Sequence, residues 1–486
     1  MNTKKIVWTI DELTDEQTCV ANNLTDIHAD NDYIFRMASS QGQLDVVKYL
    51  VECNANISAD NNNAIKLAAK NGHFDIVKYL VECGANNDVM YLAATNNHLN
   101  IVKFLVESGA NVSSNYNFAI RIAVEKGYFD LVKFLVENGA NVSVNDNDND
   151  NDNDNYAVEM AAENGHLNVI KFLVENKADI NICTNAIGKA AKNGHLNLVK
   201  FLVENKADIN MCTTNNACGM AAARGHLNIV KFLVENKADI CADSNNNCAM
   251  GKAARYHHFD IVKYLITNGA NVCAKNNYAV RMAARNPPNF RIIKLLVENG
   301  ANIRADNDYA IRMAAMNGYR KIVQFLVENG ADVTADNNYA VRMAAENGHL
   351  KVVKFLVKNG ADIYAKNNYA IRRASCHGDR HLETVKFLVE NGADVTAKNN
   401  YAVRMAAEYG HLLMVKFLVE NGADICAKND YALRRAAARG HLKLVIFLVE
   451  NGADVGAENN YAVRVAAKYN YSEIVKFLME NGAVLC

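Results

Sequence analysis

The chain has 486 residues, half of them hydrophobic, with 52 basic against 53 acidic side chains and a formal net charge of -1. That balance, with an isoelectric point of about 6.9, supplies no general attraction to phosphate backbones or anionic lipid, so nucleic acid is not the expected partner. No apolar run approaches the roughly 18 residues a membrane span needs, and the apolar stretch after Met1 is too short for a signal peptide; a soluble cytoplasmic protein is expected, with no membrane insertion.

Residues 1–28 contain the single tryptophan, Trp8, and the sequence Thr14-Asp15-Glu16-Gln17, whose spacing fits a capping box and predicts a short helix. This segment reads as an N-terminal cap, or as a docking element for a second protein. From about residue 29 onward one phrase recurs, typified by Tyr339 to Asp362. The leucine of its Phe-Leu-Val segment falls at Leu50, Leu80, Leu105, Leu135, Leu173, Leu202, Leu233, Leu265, Leu296, Leu326, Leu356, Leu388, Leu418, Leu448 and Leu478. So regular a spacing means a solenoid in which length is copy number. The organisation expected is repeats 1–4 over 29–144, an Asn/Asp insertion over 145–155, repeats 5–8 over 156–268 and repeats 9–15 over 269–486, in an all-α, monomeric array.

Two helices are written into each repeat. In residues 331–360 the first runs from about Ala340 to Glu346, and Ala344 with Ala345 lets a neighbouring helix approach closely. Gly348 suits the left-handed position that ends a helix. The second begins near Leu350, with Leu350, Val353, Phe355, Leu356 and Val357 as its apolar stripe, and ends at Gly360. A polar Ala-Asp-Asn-Asn or Ala-Lys-Asn-Asn stretch forms the turn before the next repeat. Helices this short cannot bury an apolar stripe alone, so stability comes from stacking.

The phrase Ala-Ala-x-x-Gly-His-Leu-x-x-Val-x-x-Leu-x-x-x-Gly-Ala-Asp-Val resembles the ankyrin repeat over roughly residues 29–486. The repeats are shorter than the family's usual length of about 33, and Tyr-Ala-Val-Arg replaces its Thr-Pro-Leu-His helix start. Short, Asn-rich repeats of this kind look like the ankyrin families of mimivirus-like giant DNA viruses, for which the host cytoplasm would be the setting. The resemblance implies a scaffold that binds one or more partner proteins through a concave groove and its turn tips. An adaptor for a ubiquitin ligase or host signalling complex, and a binder of phosphate-bearing ligands through an arginine row, stand as alternatives.

That row is Arg36, Arg121, Arg281, Arg312, Arg342, Arg372, Arg404, Arg434 and Arg464. By resemblance these arginines join neighbouring turns; a grip on an acidic partner is the competing reading. Position one of the same phrase is aromatic in ten repeats, which points to a packing ladder. The residues after each Ala-Ala pair vary, and the resemblance turns them toward the groove: Met316, Glu346, Glu408, Tyr409, Arg439 and Tyr469 join Arg312, Arg342, Arg372, Arg404, Arg434 and Arg464 as candidate protein-binding residues. Ten histidines share the inter-helix position, and a role repeated ten times belongs to the fold. No catalytic constellation or phosphate-binding glycine loop stands apart from the period, so no enzyme and no cofactor are expected.

Two departures stand out. Gly188, Gly219 and Gly251 replace the arginine in repeats 6–8, where each costs roughly 1 kcal/mol relative to alanine in a helix, so 178–260 is expected to be the least stable stretch. In the insertion, Asp148, Asp150, Asp152 and Asp154 with Glu159 match the alternating-oxygen spacing of a calcium loop. Dipeptide expansion into a tolerant surface turn explains the same tract without an ion.

Overall fold

A computed structural model describes residues 29–140, 156–176, 185–210, 216–239, 249–285 and 287–485, with the backbone alone for 29, 114–116 and 156. Within these residues 30 α-helices follow one another without a strand. Contacts divide the chain into two compact units, Met1–Asp239 and Ile240–Cys486. Residues 1–28 and 145–155, and with them Asp148, Asp150, Asp152 and Asp154, lie outside the described residues.

Inside each unit like packs on like. In the first, helix Ala59–Asn71 lies on Ala29–Gln41, and Phe74–Glu82 lies on both Leu44–Glu52 and Leu99–Glu107. In the second, Ala335–Glu346 sits between Ala305–Met316 and Ala365–Ala374, while Leu350–Lys358 sits between Arg320–Glu328 and Leu382–Glu390. Ala340, Val341, Ala344 and Ala345 are buried because the neighbouring first helix closes over them. On the second helix Val352, Val353 and Leu356 are buried, each contributing roughly 2 kcal/mol. The stripe expected from sequence differs: Leu350, Phe355 and Val357 are half-buried, and Val352 takes a core position.

Both helices of a repeat end in the same motif. His349 N–H reaches the carbonyl of Ala344 and Gly348 N–H that of Ala345; Ala361 and Gly360 repeat the pair on Leu356 and Val357. This is the Schellman pattern, and the left-handed glycines at φ 73° and 91° make it possible. The asparagine before the second glycine adds a bond: Asn359 Nδ2 donates to the carbonyl of Phe355 at 2.7 Å, as do its counterparts from Asn138 to Asn481.

The polar stretch between repeats takes a form that the sequence did not suggest. Asp336, Asn337 and Asn338 have φ/ψ of 51/52°, 53/51° and 59/38°, one turn of left-handed helix leading into the right-handed helix that starts at Tyr339. Left-handed geometry costs L-residues roughly 1–2 kcal/mol each, least for Asn and Asp. Tertiary bonds offset it. Asn338 Oδ1 accepts the N–H of Asp362 at 2.8 Å, and Asp32, Asn277, Asp308, Asn368, Asn400, Asp430 and Asn460 make the same bond to the following repeat. Replacing Asn338 by alanine is expected to cost about 2 kcal/mol, the sum of one lost bond and a less tolerant left-handed residue. Hydrogen exchange of the Asp362 amide, which should accelerate more than amides two repeats away, checks this.

Candidate protein-binding face

Within their own repeats the ladder arginines Arg36, Arg281, Arg312, Arg342, Arg372, Arg404 and Arg434 tie the left-handed turn to the first helix. Nε of Arg342 donates to the carbonyl of Asn337 (2.9 Å) and Nη2 to that of Asp336 (3.1 Å); Arg312, Arg372, Arg404 and Arg434 repeat both bonds. Arg464 reaches Glu458 through Nη2. The guanidinium then lies between two tyrosines: Arg342 is 5.5 Å from the Tyr339 centroid and 5.1 Å from that of Tyr369, and the alternation runs from Tyr278 to Tyr461. Links to the next turn exist where that turn begins with aspartate, as from Arg312 Nη1 to Asp336 at 3.0 Å and from Arg281 to Asp306 at 2.6 Å. Arg342 and Arg372 are only 8% and 7% exposed.

The variable positions divide into two groups. The first residue after the Ala-Ala pair is used by the next repeat. Glu346 accepts from the Tyr369 hydroxyl at 2.8 Å and from Arg373 at 2.9 Å. Glu408 accepts from Tyr431, Arg435 and Arg439, and its carboxylate is 9% exposed. The bond from Arg435 holds the Glu408 carboxyl below its ordinary range against the opposing effect of burial. Burial, then Glu346, pushes the Tyr369 phenol up. Met316 receives the Tyr339 hydroxyl on its sulfur. Lys189 pairs likewise with Glu163 and Glu159 in the preceding repeat, at 3.2 and 3.1 Å. Burial opposes the charge on Lys189, yet the two carboxylates outweigh it and hold its pKa above the usual lysine value. Glu159, the proposed closing ligand of the calcium loop, is thus a buried ion-pair partner on a helix.

These cross-repeat pairs escaped the sequence reading. Their signal is a positive charge after the ladder position following a glutamate after the previous Ala-Ala pair, as in Arg373 with Glu346 and Arg435 with Glu408. The second variable residue is different. Tyr409 and Tyr469 are 51% and 53% exposed, and Arg439 is exposed although one nitrogen touches Glu408.

The inter-helix histidines close the stack. His349 Nε2 meets the carbonyl of Met316 at 3.1 Å, so that nitrogen carries the proton. Burial keeps the ring below the usual histidine pKa. Nine of these rings, from His73 to His441, lie where a side chain on the previous repeat's inter-helix glycine would be: a Cβ on Gly318 would come within 2.6 Å of His349. Gly251 shows the same logic in a helix interior, since a Cβ there would meet the Tyr278 ring at 2.1 Å. The expectation that alanine would be the better residue is therefore corrected at Gly251: the next repeat's tyrosine occupies the space.

Alternating helix pairs, stacked like on like and cross-bonded by turns and histidines, define a helical-repeat protein. The family of ankyrin repeats (3 copies) matches residues 9–91, 86–146, 122–213, 187–276, 280–367, 344–429 and 403–486. The chain belongs to the ankyrin-repeat family, a non-catalytic interaction fold. Among solved structures it is similar to the human ASB11 ankyrin repeat domain, at 24% identity and a TM-score of 0.38, with 44% of this chain and 98% of that one covered. No curated protein matches the sequence. Among the described residues no helix is long and apolar enough to cross a membrane, and no group of three His, Cys, Asp or Glu side chains is placed to hold a metal ion.

Proposed function

We propose that the protein is a scaffold that binds partner proteins along the inter-helix edge of repeats 13–15, acting in the cytoplasm as a monomer. The observation that carries this reading is the run Tyr409, Arg439 and Tyr469, exposed at equivalent positions of three successive repeats. Tyrosine and arginine are the residue types that dominate binding energy at protein interfaces. Glu346 and Glu408 support the same division of labour, since their carboxylates are engaged by side chains of the following repeat.

Affinity capture from the native cell with mass spectrometry tests this, using the wild-type chain beside a Tyr409→Ala/Arg439→Ala/Tyr469→Ala variant. A partner enriched by the wild type and depleted at least about tenfold by the variant, at unchanged melting temperature, is the expected result. Equal enrichment by both chains would overturn the assignment of the face.

A further inference from the structure

The first left-handed residue of each turn changes sign along the array. Asp306 and Asp336 accept Nη1 of Arg281 and Arg312 from the preceding repeat. The next three turns begin with Lys366, Lys398 and Lys428 instead. Arg342, Arg372 and Arg404 still hold their own turns through Nε and Nη2. Among the described residues, no side chain pairs with their Nη1. The block ends at Glu458, which accepts a bond from Asn429.

Lysine substitution has opened a site here. Arg342, Lys366, Arg372 and Lys398 line a cleft of about 550 Å³ together with Tyr369 and Tyr401. Arg373 lines it too, and its charge is met by Glu346 at 2.8 Å. Asp362 and Asp394, the acids that start these turns, direct their carboxylates to the backbone N–H groups of Tyr364 and Thr396. The two arginines are fixed by tyrosine stacking and backbone bonds, so a ligand orders little on arrival.

We infer that this strip, from Arg342 to Lys428, binds an aspartate- or glutamate-rich segment of a partner protein. Its carboxylates take in trans the place that Asp306 and Asp336 take in cis, so the molecule itself displays the chemistry that fits. The inference rests on the protein-scaffold reading and names a second contact for it, complementary in charge.

Fluorescence anisotropy of a labelled oligo-aspartate peptide against the full chain at about 0.15 M salt tests it. Lys366→Asp/Lys398→Asp copies the turns of repeats 10 and 11 and is expected to weaken binding at least about tenfold. Lys351→Asp/Lys443→Asp, with the same charge change on exposed second-helix positions, should shift it less than about twofold. Asp336→Lys frees Arg312 Nη1 and is expected to tighten binding, a gain that misfolding cannot produce. Equal weakening by both double variants, no binding by the wild type, or tighter binding of a charge-matched single-stranded oligonucleotide would overturn the inference. The scaffold reading would survive such a failure, because its own test changes Tyr409, Arg439 and Tyr469 and leaves the lysines intact.

Discussion

In the full chain, Gly318→Ala is expected to lower the local stability of repeats 10 and 11 by about 3 kcal/mol, while Gly330→Ala, twelve residues on, costs about 1 kcal/mol. Both glycines hold left-handed φ, 79° and 93°, so both substitutions carry backbone strain of roughly 1–2 kcal/mol at most. Only Gly318 faces the next repeat. A Cβ there comes within 2.6 Å of the His349 ring, whereas one on Gly330 meets nothing within 4 Å. The displaced ring also gives up its bond to the Met316 carbonyl. Amide exchange across residues 310–353 is the appropriate measurement, since a repeat array opens locally rather than as one unit. Equal slowing or quickening of exchange in the two variants would show that the ring contact contributes nothing.

Glu408→Ala is expected to cost about 3 kcal/mol, because it leaves Arg435 and the Tyr431 hydroxyl without the acceptor they share. Its pH signature has a defined sign. The folded-state pKa of Glu408 lies below the ordinary value of 4.5, so the group contributes stability above about pH 4.5 that is lost as pH falls through the folded value. The wild type should therefore lose melting temperature on acidification below about pH 4.5 more steeply than Glu408→Gln, which has no proton to take up at that position. Parallel acid limbs in the two proteins would mean that the carboxylate's charge is irrelevant to the interface.

Much of this molecule was legible because each repeat obeys the same local rules. The helical spacing of Val353 and Leu356 and the small pair Ala344-Ala345 are properties of one short segment, as is the pairing of Gly348 and Gly360 with helix ends. Fifteen copies of the pattern left the helix pair without a rival. The role of the histidines as parts of the fold was legible for the same reason, since a group present in repeat after repeat cannot be a single reaction centre.

What only the tertiary structure decided lies between repeats. Three consecutive left-handed residues at Asp336-Asn337-Asn338 are unfavourable for an isolated chain, and they persist because Asn338 bonds the next repeat and Arg342 bonds the turn's carbonyls. Gly251 reads as a weak helix residue until the ring of Tyr278, 27 positions away, is found in the space a side chain would need. Glu346 and Glu408 read as variable surface positions until the tyrosines and arginines of the following repeat are found on them. In each case the residue's energy is set by a neighbour about one repeat distant, which local propensity does not contain. The exposed Tyr409 differs from the engaged Glu408 by one place in sequence, and it is packing against the next repeat that separates a structural position from one available to a partner.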